Sequence, residues 1–238
     1  MKAVVLAAGK GVRLGPLTES LPKPMLPISG RPVIGHLLST LAKTGVREVF
    51  MNLHHRPETI QDYCEDGSRW GLRITYAIET ELLGTAGALR SFMTHLTGEP
   101  FFVSYGDNFF TGVDPVLLWE FHQRHDGHAT VALFERDDVR GCGIVELNQH
   151  HRILRFVEKP PPEQVFSRLI NGGLYVLSPA ILPLLPDRTP CDFAFHVFPE
   201  LLAAGHPIFG RVMEGAVWGI DTPELYRTLR EIVSDELA

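Results

Sequence analysis

The feature that most restricts the fold is a regular alternation of apolar runs and amphipathic segments over roughly the first 135 residues. The run around Val4, Val5 and Leu6 is continuous, as expected for a strand buried on both faces of a parallel sheet. The strands of this part are predicted at Lys2–Ala7, Glu48–Leu53, Arg73–Ile78, Phe101–Tyr105 and Ala129–Phe134, and the helices at Pro32–Gly45, Pro57–Glu65, Thr85–Leu96 and Val116–Arg124. This order predicts an α/β fold with a Rossmann-like, doubly wound, mostly parallel mixed sheet.

The pattern changes after about residue 140, where short strands follow one another more closely. These strands are predicted at Gly143–Leu147, Ile153–Glu158, Asn171–Leu177, Ile208–Met213 and Val217–Ile220, with helices at Phe193–Ala204 and Pro223–Leu237. No linker, repeat or charge block divides the sequence. We therefore expect a single domain over residues 1–238, with one half at 1–140 and a second half at 141–238.

The composition excludes several classes of protein. Hydrophobic residues make up 45% of the 238 residues, which excludes a disordered chain. Three distant cysteines do not make a disulfide framework, and no apolar run is long enough to cross a membrane. The net charge of −6 argues against nucleic acid as a partner. A cytoplasmic protein without a membrane or nucleic-acid partner is expected.

A glycine-rich loop, Ala7 to Gly15, follows the first strand and carries Lys10 and Arg13. Ligands bind beyond the carboxyl ends of strands in open α/β sheets, and glycines let backbone N–H groups approach an anion. The loop matches neither the dinucleotide fingerprint nor the P-loop, because the third glycine is misplaced and no GK[ST] follows. The residues predict a phosphate-binding loop of another kind; a tight turn at the strand exit is the alternative.

Two further segments carry candidate chemistry. In LPKPMLP, Lys23 stands between two prolines, whose stiff backbone lowers the entropy lost in presenting an ammonium group to a phosphate. Asp107 follows a predicted strand in YGDN, a position that suits a Mg²⁺ ligand. The alternatives are a rigid connector for Lys23 and an Asx-turn for Asp107.

The motifs AAGKGVRL, LPKPMLP, LLGTAGAL, YGDN, VEKP and NGGLY, in this order, resemble those of the sugar-1-phosphate nucleotidylyltransferases. The resemblance covers Lys2 to about Tyr226 and implies the nucleotide-diphospho-sugar transferase fold. It also implies an enzyme that joins a nucleoside triphosphate and a sugar 1-phosphate into a nucleotide-sugar and pyrophosphate. Residues 1–140 would bind the nucleotide, and residues 141–238 the sugar phosphate.

The resemblance also implies roles for individual residues. Arg13, Lys23 and Asp107 would be catalytic, and Asp107 with Asp221 would hold Mg²⁺. The nucleotide would be bound by Leu6, Ala8, Gly9, Lys10, Gly11, Val12, Gly84, Thr85 and Ala86. The sugar phosphate would be bound by Asn108, Gly143, Glu158, Lys159, Asn171 and Gly173.

Three departures from the family pattern leave alternatives open. The form GTAG at Gly84–Gly87 looks most like the guanylyltransferases for mannose or heptose 1-phosphate, although a cytidylyl- or adenylyltransferase for another sugar or cyclitol phosphate is the runner-up. Val12 replaces the usual threonine, and Asp221 is displaced within VWGIDTP. These two changes motivate a rival hypothesis, a catalytically silent regulatory relative that binds nucleotide-sugar. We further expect a monomer or homodimer, and a short form without the C-terminal β-helix of many relatives.

Overall fold

The computed structural model describes residues 1–235 and contains thirteen strands and five α-helices in that range. The strands are β1 (Lys2–Leu6), β2 (Pro27–Ile28), β3 (Arg31–Pro32), β4 (Glu48–Leu53), β5 (Arg73–Ile78), β6 (Phe101–Tyr105), β7 (Asn108–Thr111), β8 (Ala129–Glu135), β9 (Gly143–Leu147), β10 (Ile153–Glu158), β11 (Leu169–Leu177), β12 (Ile208–Val212) and β13 (Ala216–Gly219). The helices are α1 (Val33–Lys43), α2 (Pro57–Cys64), α3 (Pro115–Gln123), α4 (Phe198–Ala203) and α5 (Pro223–Asp235). The predicted α/β class agrees with these elements. Leu237, where the last helix was predicted to end, lies outside the described residues.

The chain forms two compact units, and neither is continuous in sequence. We call the first the parallel unit; it comprises Lys2–Leu82, Ser104–Thr111 and the chain from Val217 onward. The second, the antiparallel unit, comprises Leu83–Val103 and Gly112–Ala216. The single domain with halves meeting at residues 140 and 141 stays a prediction.

In the parallel unit, β1 pairs in parallel with β4, and β4 with β5. Ala3, Val4 and Val5 are fully buried, as the continuous apolar run predicts for a strand covered on both faces. Helix α1 buries Ile34, Leu37 and other apolar residues along one side, and its chain turns at Gly45 with a φ of +96°. Because these strands run in parallel, their carboxyl ends lie at one edge, where the glycine-rich loop begins.

In the antiparallel unit, β10 pairs with β9, β9 with β11, and β11 with β8, all antiparallel, while β12 runs parallel to β8. Tyr175, Phe193 and Phe198 form an aromatic core with ring centroids 5.2–5.5 Å apart. These rings lie on β11 and on the helical segment near residue 195. They fix that segment against the sheet of this unit.

Two helices predicted from the sequence have a different form in the structure. Instead of a helix over Thr85–Leu96, a short 3₁₀ helix spans Gly87–Phe92. At its start, the N–H groups of Ala86 and Gly87 both donate to the carbonyl of Cys191 at 2.9 Å. The predicted helix Phe193–Ala204 begins as a π-helix over Phe193–Val197 and becomes α-helical only at Phe198.

No helix within residues 1–235 is long and apolar enough to cross a membrane.

Candidate active site

The candidate catalytic residues of the parallel unit are attached to one apolar cluster. Each is one to three positions from a buried member of that cluster: Arg13 from Leu14, Lys23 from Leu26, Asp107 from Phe109 and Asp221 from Ile220. The cluster is closed by α5, whose Tyr226 hydroxyl donates to the carbonyl of Pro27 at 2.8 Å. Packing of apolar neighbours thus brings together charged side chains that are up to 208 positions apart.

The glycine-rich loop is held in shape by a buried threonine. The Thr18 hydroxyl donates to the carbonyls of Gly11 and Gly15, at 2.9 and 3.2 Å. Gly11 has a φ of +65°, and a Cβ there would lie 3.0 Å from the Thr18 methyl carbon, so another residue would be strained in the backbone and would crowd Thr18. Gly9 and Lys10 are exposed beside this turn, as an anion-binding loop needs. Leu6 and Ala8, also predicted to contact nucleotide, are buried at its base.

Val12 follows Gly11 with 77% of its surface exposed. The loop hydrogen bonds are made by the backbone of Gly11 and Gly15 and by the Thr18 hydroxyl, and Leu14 N–H closes the first turn on the Gly11 carbonyl at 3.0 Å. The fold of the loop therefore does not depend on a side-chain hydroxyl at this position. With valine in place of threonine, the loop has no hydroxyl here that could bind a ligand.

Two carboxylates and two cations meet in the parallel unit. The Lys23 ammonium contacts an oxygen of Asp107 and lies 2.5 Å from Oδ1 of Asp221. The Arg13 guanidinium reaches the same Asp221 oxygen at 3.0 Å. We call these four residues the ion cluster; its formal charges sum to zero.

Lys23 is the most enclosed member of the ion cluster, with 11% of its side chain exposed. Burial lowers the pKa of the Lys23 ammonium, but the attraction of Asp107 and Asp221 outweighs it, so the pKa is raised above its ordinary value. Lys23 is therefore held as a cation at neutral pH, as its predicted role at a phosphate demands.

The donor set of the ion cluster fits Mg²⁺. This ion is usually bound by one or two carboxylates together with substrate phosphates and water, and the cluster supplies two carboxylates that already converge on one positive group. Among the described residues there is no group of three or more acidic, histidine or cysteine side chains arranged for a metal. Asp107 and Asp221 would be the protein ligands, with the remaining positions left to phosphate and water.

A buried polar network at the strand ends was not anticipated from the sequence. Asn52 at the end of β4 accepts from the Ala7 N–H at 3.1 Å and donates to Glu79 Oε1 at 2.8 Å. Asn52 and Glu79 are 3% and 6% exposed. Fully partnered buried groups of this kind stiffen a site, so this network fixes where the loop leaves β1. A polar residue in the apolar run FMNL is the signal that could have indicated it.

In the antiparallel unit, the loop Gly84–Thr85–Ala86 is bound to a segment about 105 residues later. Asp192 Oδ1 accepts from the Thr85 N–H at 2.9 Å and from its hydroxyl at 3.1 Å, and that hydroxyl accepts from the Phe193 N–H at 2.9 Å. A Cβ at Gly84 would lie 2.4 Å from the Cys191 carbonyl oxygen. The Thr85 side chain therefore holds this loop in place, and Asp192 is a positioning residue that the sequence did not reveal.

The candidate sugar residues of the antiparallel unit share one row of its sheet. Glu158 pairs with Gly143 across β10 and β9, and the pairing of Ile170 with Ile144 puts Asn171 next to Gly143. A Cβ at Gly143 would lie 2.4 Å from Glu158 Oε2, so glycine leaves room for the carboxylate. Asn171 accepts from the Gly173 N–H at 3.1 Å. Three strands thus present an acid, an amide and a backbone turn together.

Lys159 follows β10 and lies 3.4 Å from Glu158 Oε1. Asn108, also assigned to the sugar phosphate, belongs to the parallel unit, where it is buried in β7. A Cβ at Gly219 would lie 3.9 Å from its Oδ1 and 3.5 Å from Asp221 Oδ2. Asn108 is thus placed near the second carboxylate of the ion cluster.

Comparison with known proteins connects this geometry to a family. The family model described as nucleotidyl transferase matches residues 2–222. The chain belongs to the nucleotidyl transferase family. The resemblance predicted from the order of the six motifs is confirmed, and the glycine-rich loop, the ion cluster and the Glu158–Lys159 pair all fall within the matched range.

The related proteins are named after one class of reaction. The chain is 37% identical to a mannose-1-phosphate guanylyltransferase of Mycobacterium tuberculosis, over 93% of this chain and 61% of that protein. It is 31% identical to a UTP–glucose-1-phosphate uridylyltransferase of Synechocystis, over 100% of this chain and 64% of that protein. The chain thus spans less than two thirds of the length of these relatives.

Among solved structures, HddC from Yersinia pseudotuberculosis, complexed with GMP-PN, is 25% identical and superimposes with a TM-score of 0.80. The match covers 97% of this chain and 98% of that one. The predicted nucleotide-diphospho-sugar transferase fold is confirmed.

Proposed function

We propose that the chain transfers a nucleotidyl group from a nucleoside triphosphate to a sugar 1-phosphate, which yields a nucleotide-sugar and pyrophosphate. The observation that carries the proposal is the ion cluster, in which Arg13 and Lys23 face two carboxylates beside a glycine-rich phosphate loop. Membership of the nucleotidyl transferase family supports the same reaction.

The reaction needs charge neutralisation more than covalent chemistry. An oxygen of the sugar phosphate attacks the α-phosphorus in line, a new P–O bond forms, and the bond to the bridging oxygen of the leaving pyrophosphate breaks. Arg13 and the N–H groups of Gly9 and Gly11 would bind the triphosphate, and Lys23 would lie between the reacting phosphates. Asp107 and Asp221 would hold Mg²⁺, which when bound neutralises charge on the phosphate oxygens.

The Glu158–Lys159 pair would bind the second substrate. The Glu158 carboxylate is an acceptor for sugar hydroxyls, and the Lys159 ammonium is a donor for the sugar's phosphate. Asn171 and the backbone near Gly143 and Gly173 would complete that set.

For the base we propose guanine, with mannose 1-phosphate or a heptose 1-phosphate as the sugar. The GTAG form of the loop at Gly84 supports this choice, as do a guanylyltransferase among the relatives and the GMP-PN complex of HddC. Because one relative is named a uridylyltransferase, uracil is the second candidate for the base. A cytidylyl- or adenylyltransferase is the remaining enzyme alternative.

The test is pyrophosphate release by the purified chain across five nucleoside triphosphates and a panel of sugar 1-phosphates. We expect the highest kcat/KM with GTP and mannose 1-phosphate or a heptose 1-phosphate. No pyrophosphate from any pair would overturn the proposal and favour the silent regulatory relative, for which exposed Val12 is the specific observation. Preference for another nucleotide would overturn only the choice of base.

We also propose a cytoplasmic monomer or homodimer. Within residues 1–235 no disulfide joins the three cysteines, which is typical of a reducing compartment. Light scattering coupled to size-exclusion chromatography tests the oligomeric state; a tetramer or larger assembly would contradict it.

A further inference from the structure

Phe195 is an aromatic side chain that the antiparallel unit holds outside its core. It is 54% exposed, although Phe193 and Val197 on either side of it are fully buried. It lies in the π-helix Phe193–Val197, and such locally widened helices are rare and frequently occur at functional sites. Its i→i−5 hydrogen bonds run from the Val197 N–H to the Asp192 carbonyl, at 3.1 Å, and from the Phe198 N–H to the Phe193 carbonyl. Core packing therefore does not explain a phenylalanine at this position.

The exposed ring adjoins the candidate sugar-phosphate residues. The Lys159 ammonium lies 5.9 Å from the Phe195 ring centroid, within the range of a cation–π contact, and 3.4 Å from Glu158 Oε1. Lys159 itself has a φ of +49°, a backbone conformation that L-residues rarely adopt and that is retained where the surrounding structure enforces it. Its N–H donates to the Cys142 carbonyl at 3.1 Å, which fixes this turn. One surface thus presents a carboxylate, an ammonium group and an aromatic face.

This combination matches the chemistry of a sugar phosphate. A sugar ring has hydroxyls at its edge and C–H groups on its faces, and the negative face of an aromatic ring attracts the positive edge of C–H bonds. Resting on the proposed function, we propose that Phe195 packs against the C–H face of the sugar ring of the sugar 1-phosphate. Glu158 then accepts from the hydroxyls and Lys159 binds the phosphate. Phe195 is a specificity-determining residue that favours sugars with an unobstructed C–H face.

The experiment is calorimetric titration of mannose 1-phosphate and, separately, glucose 1-phosphate, GTP and inorganic phosphate into wild type, Phe195→Ala and Phe195→Trp. We expect Phe195→Ala to weaken the affinity for mannose 1-phosphate about 3- to 10-fold and to leave the affinity for inorganic phosphate unchanged. The reason is that the Phe195 side chain contacts the sugar ring, whereas Lys159 binds the phosphate. Phe195→Trp should bind mannose 1-phosphate within about 3-fold of wild type. The matched control is Phe166→Ala in the same unit, where the ring also lies beneath a cation, the Arg155 guanidinium at 4.1 Å.

Three results would overturn the proposal that Phe195 packs against the sugar ring. The first is equal affinity of wild type and Phe195→Ala for mannose 1-phosphate. The second is loss of GTP affinity with sugar-phosphate affinity intact, which would make Phe195 a base-stacking residue. The third is no binding of mannose 1-phosphate or glucose 1-phosphate to the wild type. The proposed function fails on a different readout, the absence of pyrophosphate from every substrate pair, so the two failures are distinguishable.

Discussion

The parallel and antiparallel units hold their charged groups in different ways. In the parallel unit, Lys23 and Arg13 are already paired with Asp107 and Asp221, so a ligand must separate charges that neutralise one another. In the antiparallel unit, Glu158 and Lys159 are adjacent on one strand end beside an exposed aromatic ring. Glu158 and Lys159 are also an ion pair, but the Lys159 side chain is 44% exposed, against 11% for Lys23. We therefore expect ligand binding to rearrange enclosed ion pairs in the first unit, and to meet an ammonium group that already faces solvent in the second.

The largest effect is expected for Asp107→Asn in the ion cluster. The amide keeps the shape of the side chain but removes the charge that would hold Mg²⁺, so pyrophosphate release should fall by about 10³-fold. The matched control is Asp62→Asn on the exposed side of α2, which should retain wild-type turnover. Circular dichroism and Tm would check that both variants fold. Turnover of Asp107→Asn within a few-fold of wild type would contradict the role of this carboxylate.

The second prediction concerns Lys23, whose ammonium group occupies the position between the two carboxylates. Lys23→Met should lower kcat by about 10²- to 10³-fold, because a cation is lost from the reacting phosphates. The same change should tighten binding of Mn²⁺ in the absence of nucleotide, because the ammonium group between Asp107 and Asp221 is lost and, within the ion cluster, only the Arg13 guanidinium remains as a counter-charge. Electron paramagnetic resonance of free Mn²⁺ measures this without turnover.

Arg13→Met is the control for Lys23→Met, since Arg13 touches Asp221 but not both carboxylates and is 56% exposed. It should tighten Mn²⁺ binding less than Lys23→Met does. If neither variant changes Mn²⁺ affinity, the ion cluster does not compete with metal, and the contrast between the two units disappears.

The third prediction tests whether the Thr85 side chain holds its loop in place in the antiparallel unit before any ligand binds. Thr85→Val keeps the shape but leaves the Phe193 N–H without its acceptor, which should lower the free energy of unfolding by about 1–3 kcal/mol. Thr85→Ser retains the hydroxyl, so it should lower the free energy of unfolding far less. KM for the nucleotide should change less than about 3-fold in either variant, because the hydroxyl bonds within the unit. A tenfold rise in KM for Thr85→Val with unchanged Tm would instead make Thr85 a nucleotide ligand.

The sequence predicted strands of both units better than the helical segments of the antiparallel unit. The bounds of β4, β5, β6, β9 and β10 agree with the prediction, since short apolar runs between turn residues define such strands. The 3₁₀ helix at Gly87–Phe92 and the π-helix at Phe193–Val197 were not predicted. Hydrogen bonds join the loop Gly84–Thr85–Ala86 before the first to Cys191 and Asp192 before the second. Bonds between residues so far apart in sequence leave no periodic signal.

The candidate site shows the same limit. The resemblance to the family, including the displaced acid in VWGIDTP, grouped Arg13, Lys23, Asp107 and Asp221, and the structure brings these four together. Their roles in catalysis and metal binding stay predictions. Asn52 and Asp192 were missed because each acts by fixing a backbone, and a buried amide or a loop aspartate has no spacing that marks such a role.

The last prediction concerns the pH dependence that a buried histidine gives to the antiparallel unit. Burial, together with the neighbouring His125, lowers the pKa of His122 to about 4, and His122 shares a hydrogen bond of 2.9 Å with the Thr130 hydroxyl. Because the folded pKa lies below the unfolded value of 6.5, the unfolded chain binds the proton more readily, and stability falls as pH drops from 6.5 toward 4. This one group can account for up to roughly 3 kcal/mol of that loss.

The variant His122→Asn tests this, because asparagine keeps a hydrogen-bond partner for Thr130 but does not titrate. The free energy of unfolding is measured with urea at pH 7 and at pH 5. It should fall less between these two pH values in His122→Asn than in wild type. An identical fall in both proteins would place the acid sensitivity outside this histidine.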